Sequence, residues 1–352
     1  MAKLFYKDKP VIGLDIGQTN IKVMAIDPKK WLVLGYGSVD LDPAKVQKSL
    51  EEEDGYLSEN IHTLLREKLI GNLPSNHTII GIPTNRTFLR TFTIPAKAES
   101  TLNDAIEIEV DQYITIPMSS LYVDYEVIER TKEQLTVVMS AVPKKLVDSC
   151  MSAATAANLR PIMIEPSINS VARVLESAEE GHLTTLIVDI GPAGTDIAVL
   201  EDGAIRVNGG LGIGGNTFTL DIAKKLGVPL ENAHQLKVLN GLSAGPRQAK
   251  ITSALQPSLQ RILAEVRKVI RYYNERLTDN NRSLEQVLVV GGGSNVPGIG
   301  DYFTNELVMP ARIASPWQKL DFGTLPQPTK QLKPRYITVA GLASVDPTEA
   351  RQ

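Results

Sequence analysis

The chain has 352 residues, 43% hydrophobic and 22% charged, with a formal net charge of −3. That length exceeds one ordinary core and predicts a globular protein of two lobes, roughly 150 residues each, while the slight negative charge offers no general attraction to nucleic acid or anionic lipid. Cys150 is the only cysteine, which excludes an internal disulfide, and the four histidines, His62, His77, His182 and His234, lack the spacing of a zinc site.

The first ten residues, MAKLFYKDKP, lack the apolar core of a signal peptide. No stretch approaches the ~20 apolar residues of a membrane span, so the expected location is the cytoplasm. Short apolar runs predict strands at 11–16, 21–26, 32–39, 78–82, 88–94, 121–129 and 134–142. Further runs predict strands at 161–164, 185–189, 195–200, 204–207 and 286–290. Helical patterns alternate with them, which makes the fold class α/β. A helix at 102–114 places Leu102, Ala105, Ile106, Val110 and Tyr113 on one face, with Thr101 and Asp104 spaced as a capping box and Pro117 beyond its end. Pro143 opens a helix to about 158 that carries Cys150 as a small buried apolar residue. The clearest helix spans 257–277, where Leu259, Ile262, Leu263, Val266, Ile270, Tyr273 and Leu277 form one stripe and Arg261, Lys268 and Arg271 a solvated face.

Two segments echo each other. IGLDIGQTNIKVMAI at 12–26 aligns with LIVDIGPAGTDIAVL at 186–200, with Asp15 over Asp189 and Gly17 over Gly191. This internal repeat implies two related halves. Each segment reads as a β-hairpin whose first strand ends on Asp and whose small turn residues let backbone N–H groups approach an anion. Carboxylates repel a bare phosphate, so Asp15 and Asp189 make sense as metal candidates, holding a divalent cation through water, with Lys22 adding positive charge near the phosphates. The alternative is that each Asp caps its own turn. Downstream, GLGIGGNTFTLDIAKKLGV places Gly214 and Gly215 at a helix start, where free N–H groups and the helix dipole favour anions. In QVLVVGGGSNVPGI a strand runs into Gly291, Gly292, Gly293 and Ser294, where backbone can approach a ligand closely.

These elements, in this order and with IEPSINSVARVL between the hairpins, resemble the superfamily of actin, heat-shock chaperone and sugar-kinase ATPases across nearly the whole chain. Within it the sequence is similar to the PilM family of type IV pilus assembly proteins, relatives of FtsA. AHQLK and PARIASPWQKL add to the likeness. The resemblance implies an actin-like ATPase fold: two lobes with duplicated α/β cores, an inserted subdomain on each, and ATP with Mg2+ in the cleft between them. The first lobe core would be 1–83 with 161–183 and 334–352, bearing the inserted subdomain 84–160. The second core would be 184–225 with 275–333, bearing a helical subdomain at 226–274.

It also implies residue roles. Asp15, Gly17, Gln18, Thr19, Asn20 and Lys22 would form the first phosphate loop, and Asp189, Gly191 and Thr195 the second. Gly214 and Gly215 would lie near ribose and phosphates, Lys237 near the nucleoside, and Gly291, Gly292, Gly293 and Ser294 under adenine and ribose. Asp189 and Glu165 are the catalytic candidates. Glu165 is either a carboxylate near the metal and attacking water or a salt-bridged glutamate at a strand end. Relatives place an acidic residue where His234 stands and an arginine near Gly209. The implied function is a cytoplasmic ATP-binding adaptor with slow or negligible turnover. It would sit at the inner face of the cytoplasmic membrane by binding the cytoplasmic N-terminal tail of a PilN-like inner-membrane protein. Other pilus assembly proteins or a second copy are further candidate partners, with no nucleic acid and no direct membrane insertion. An FtsA-like division scaffold and a small-molecule kinase of the same superfamily are the alternatives. The polar C-terminal stretch VAGLASVDPTEARQ speaks against the scaffold's membrane helix, and no separate acceptor-site motif supports the kinase. The strands within 84–160 either leave an edge for an extended peptide or only complete their subdomain.

Overall fold

The computed structural model describes residues 9–346 except 53, 179–182, 247 and 278–282. The N-terminal segment to residue 8, His182 and the tail from 347 lie outside the described residues. All the predicted strands form. The first hairpin is β1 (Ile12–Ile16) and β2 (Asn20–Asp27), continued by β3 (Leu32–Asp40). Helices α1 (Pro43–Glu52) and α2 (Tyr56–Glu67) and the short strand β4 (Ile70–Gly71) lead to β5 (His77–Ile82), parallel to β1. Strand β6 (Phe88–Pro95), helix α3 (Leu102–Tyr113) and strands β7 (Leu121–Arg130) and β8 (Gln134–Pro143) follow. They build a separate sheet, ordered β6-β8-β7, with its own core of Phe92, Ile106, Val110, Val137 and Met139. Helix α4 (Lys144–Ala156) and strand β9 (Arg160–Pro166) return the chain to the first sheet, and α5 (Ser167–Ala178) leaves it.

The second half repeats the plan with β10 (Thr185–Ile190), β11 (Thr195–Glu201) and β12 (Ala204–Leu211). Helices α6 (Gly215–Leu226), α7 (Leu230–Leu239) and α8 (Gln248–Arg276) precede β13 (Gln286–Val290), α9 (Ile299–Leu307), β14 (Ala311–Ile313) and α10 (Ile337–Ala343). The two large sheets run β4-β3-β2-β1-β5-β9 and β12-β11-β10-β13-β14. In each, an antiparallel meander is joined through its first strand to parallel strands. Even the irregularity recurs at the equivalent place, between Ala25 and Ile26 and between Val199 and Leu200.

Strand alternation then fixes five layers. Ile12, Leu14, Ile16, Ile21 and Val23 face α1, α2 and α4 on one outside of the molecule. Leu186, Val188, Ile190, Val287 and Val289 face α6, α8 and α9 on the other. The remaining faces, with Met24, Ile26, Ile187, Ala198, Leu288 and Val290, meet α5 and α10 in a shared middle layer. There the two helices touch closely, since a Cβ on Gly341 would stand 1.9 Å from the Ser170 carbonyl oxygen.

Three local expectations change. Helix α8 starts at Gln248, not near 257: Pro257 lies inside it, and the apolar stripe continues back through Ile251, Ala254 and Leu255. Proline is favoured in a first turn but here costs one internal N–H instead. No capping box forms at Thr101, whose hydroxyl donates to the Ala98 carbonyl at 3.0 Å in the preceding 3-10 turn. Strands β4 and β14, of two and three residues, are too short to show a period. Cys150 is fully buried on α4, and burial pushes its thiol up to about 12, as expected of a packing residue.

Candidate functional site

Asp15 lies two residues from Gly13 on β1 and so shares its face, toward the middle layer and away from Leu14 and Ile16. The same alternation aims Lys22 with Met24, Asp189 with Ile187 and Asp196 with Ala198. Four charged side chains thus converge from two equivalent hairpins where the parallel strands end, the usual ligand position of open α/β sheets. They line one cavity of about 370 Å³ between the sheets, within the ordinary range for a small-molecule site.

The two turns are built alike. Gly17 N–H donates to the Asn20 carbonyl at 3.0 Å, and Gly191 N–H to the Gly194 carbonyl at 2.8 Å. The first turn brings Gly17, Gln18, Thr19 and Asn20 to the cavity, and the second brings Gly191. Lys22 Nζ donates to Asp15 Oδ2 at 2.8 Å, directly across the hairpin. At the equivalent place in the second hairpin stands Asp196, across from Asp189. Three carboxylates therefore face one ammonium. Burial first, then the Asp15 charge, pushes Asp189 up to about 6. Burial first, then the Asp189 charge, pushes Asp196 up to about 7, against a hydrogen bond from Thr84.

Beyond β13 the chain turns through Gly291, whose φ of 76° suits glycine and where a Cβ would stand 2.2 Å from Asp189 Oδ1. Gly292 and Gly293 line the cavity beside it, and Arg335 lies over Gly292. On the side of α6 and α7, Gly215, His234 and Lys237 complete the wall. Lys237 Nζ donates to the Gly215 carbonyl at 2.7 Å and to Thr219 Oγ1 at 2.8 Å. Burial, with Arg335 nearby, brings Lys237 down to about 8. Burial also lowers His234, aided by Lys237 and Arg335.

Four predicted site residues are not brought to the cavity surface. Thr195 donates its hydroxyl to the Ile213 carbonyl at 2.7 Å, and Ser294 donates its hydroxyl to Gly291 at 2.7 Å, so both brace the walls from behind. Gly214 lies just behind the second turn, where the N–H groups expected to be free are spent: Gly215 donates to the Gly191 carbonyl and Asn216 to Pro192, each at 2.9 Å. Glu165 is buried on β9 in a two-pronged pair with Arg173, both contacts at 2.8 Å, and Arg173 also holds the Gly341 carbonyl. Of the two readings of Glu165, this geometry favours the ion pair. A Glu165→Gln variant should lose about 1–2 kcal/mol of stability in a denaturant melt, while its affinity for nucleotide stays within about twofold of wild type.

Asp196, Thr84, Asn85 and Arg335 were not singled out in sequence. Asp196 was visible in the repeat, as the residue aligned with Lys22. Arg335 comes from a 3-10 turn far along the chain and carries no motif.

Two equivalent sheets, each presenting an acid-ended hairpin to a common cleft, define the actin-like ATPase fold. Solved structures agree. The PilM-PilN type IV pilus biogenesis complex matches with a TM-score of 0.79 at 21% identity, covering 98% of this chain and 99% of that one. MreB5 of Spiroplasma citri bound to ADP matches with a TM-score of 0.55 at 14% identity, covering 98% of both chains. The cell division protein FtsA of Borreliella burgdorferi is 26% identical over 184 residues, 47% of this chain and 43% of that protein. The match thus spans less than half the length of that relative. The family model for type IV pilus assembly protein PilM matches residues 13–345, and the chain belongs to that family.

Proposed function

We propose that this chain is an ATP-binding adaptor of type IV pilus assembly, working in the cytoplasm and held at the inner membrane face by the N-terminal tail of a PilN-like protein. The observation that carries the nucleotide half is the pair of equivalent turns around three carboxylates and one ammonium. Two negative charges without a counter-ion fit a divalent cation better than a bare phosphate. Among the described residues no three acidic, histidine or cysteine side chains group as a direct metal shell. That suits a hydrated magnesium, which keeps several waters. Asp15 and Asp189, joined by Asp196, would hold it. Magnesium, when bound, supplies charge neutralisation for the phosphate oxygens. The turn amides and Lys22 would orient those oxygens, and Gly291 to Gly293 with Arg335 and Lys237 would enclose the nucleoside. The four-part division at 84–160 and 226–274 belongs to the same proposal. MreB5, which shares this fold, has been solved bound to ADP and to AMPPNP. Turnover is proposed to be slow, since Glu165 is committed to Arg173.

The metal reading predicts a pH signature. Asp189 and Asp196 have folded values raised above the usual carboxylate 3.8, so the fold binds protons more tightly than the unfolded chain does. Their stabilising effect is complete below about pH 4 and fades as pH rises through 6 to 7. Magnesium competes with protons for these groups. Millimolar magnesium should therefore raise the melting temperature by about 3 °C at pH 7.5 and leave it unchanged at pH 5. Equal shifts at both pH values would count against a carboxylate-held cation.

The partner half draws on family membership and on the β6-β8-β7 sheet, whose edge strand β7 exposes Tyr122 and Tyr125. An edge strand can take an extended peptide by main-chain pairing. A labelled peptide copying the PilN-like tail of the same genome should bind with micromolar affinity in fluorescence anisotropy, about 8 kcal/mol. A folded variant lacking 84–160 should not bind it. Full binding by that variant would move the site elsewhere.

A further inference from the structure

The cavity is polarised along its length. One end holds Asp15, Asp189 and Asp196 around Lys22, and the other holds Lys237, His234 and Arg335. No acidic residue among those described lines the second end, where the remaining polar side chains, Asn216, Asn295 and Gln331, are neutral.

Lys237 is 7% exposed. Its ammonium donates to the Gly215 carbonyl at 2.7 Å and to Thr219 Oγ1 at 2.8 Å, both uncharged acceptors. An ammonium has three protons, so one is left for the cavity. Of the two lysines buried among the described residues, Lys22 has Asp15 at 2.8 Å as its counter-ion and Lys237 has none. Burial and the Arg335 charge lower it only to about 8, so it is still charged at neutral pH. Holding α7 to α6 needs no more than a neutral donor, whereas a buried charge is costly until an anion meets it.

Arg335 adds to the same field. It comes from the 3-10 turn Lys333–Tyr336 and lies over Gly292, its Cγ 3.7 Å from where a Cβ would sit. Its guanidinium makes no ion pair among the described residues and is exposed to whatever enters. His234 stands one turn before Lys237 on α7. Three basic groups from two elements thus share one end of the cavity with no carboxylate to offset them. A neutral sugar or base offers only dipoles there, but a phosphate matches the guanidinium fork and accepts the spare ammonium proton.

We infer that the basic end of the cavity is an anion subsite, and that this chain takes a nucleotide whose sugar carries a second phosphate, at the 2′ or 3′ position, held by Lys237 and Arg335. The inference rests on the nucleotide reading above and adds the class of nucleotide.

Displacement of radiolabelled magnesium-ATP from the full chain tests this, with AMP, adenosine 2′,5′-bisphosphate and adenosine 3′,5′-bisphosphate as competitors. In wild type one of the bisphosphates should displace the label at a concentration at least about tenfold below that of AMP. Arg335→Gln and Lys237→Met should each cut that preference to within about threefold, and the double variant should abolish it. Because Lys237→Met also removes the bonds to Gly215 and Thr219, Arg335→Gln, at an exposed position, carries the test alone should the other fail to fold. Bisphosphates that compete no better than AMP in wild type would overturn the subsite and leave the nucleotide reading standing, as would a preference undiminished in Arg335→Gln. A folded chain that binds no labelled magnesium-ATP through the millimolar range would overturn both.

Discussion

A Gly341→Ala variant should melt about 6 °C or more below wild type, a loss of about 3 kcal/mol. The middle layer explains the size. Helix α10 lies on β1 as well as on α5: a Cβ at 341 would meet the Ser170 carbonyl at 1.9 Å, and one at Gly13 would meet the Val339 carbonyl at 2.5 Å. Both obstacles are backbone, so neither can rotate away. The added methyl must separate the two helices, and because the same layer packs against both sheets, the lobes would shift together. The Arg173 bond to the Gly341 carbonyl would stretch in the process, loosening the Glu165 pair. Calorimetry or circular dichroism reads this directly. A melting temperature within about 2 °C of wild type would mean that the helices tolerate wider spacing than their contact implies.

Lys22→Met should weaken magnesium-ATP binding at least about 30-fold, or about 2 kcal/mol, and should also lower the melting temperature, because it leaves the buried Asp15 unpaired. Methionine keeps the length and apolar stem of lysine and removes only the charge. Lys22 reaches Asp15 at 2.8 Å with both side chains about nine-tenths buried, and its charge also acts on Asp189. Without it, Asp15, Asp189 and Asp196 face an incoming polyphosphate uncompensated. A competition assay showing an affinity within threefold of wild type would place the phosphates away from the first hairpin.

Much of this architecture was legible because the repeat carries both pattern and chemistry. Alternating apolar residues on 12–16 and 186–190 fix which face Asp15 and Asp189 take, and the glycines after them leave few options but a tight turn. Long-range partners were not legible. Whether Glu165 reaches the cleft depended on Arg173, two turns along α5, winning the carboxylate. Whether Gly215 offers a free N–H depended on the Gly191 carbonyl of a different element standing in its path. Thr84 looks like any polar loop residue until the Ile168 N–H is placed against its hydroxyl. Local period predicts elements, whereas the allocation of buried donors and acceptors is settled by tertiary packing.

The most direct test of the central claim is isothermal titration of the purified chain, freed of any carried-over nucleotide, with ATP in the presence of magnesium. One-to-one binding with a dissociation constant of roughly 1 mM or tighter, equivalent to about 4 kcal/mol or more, and lost when EDTA removes the metal, is the expected result. A folded protein that gives no heat with magnesium-ATP through the millimolar range would contradict it.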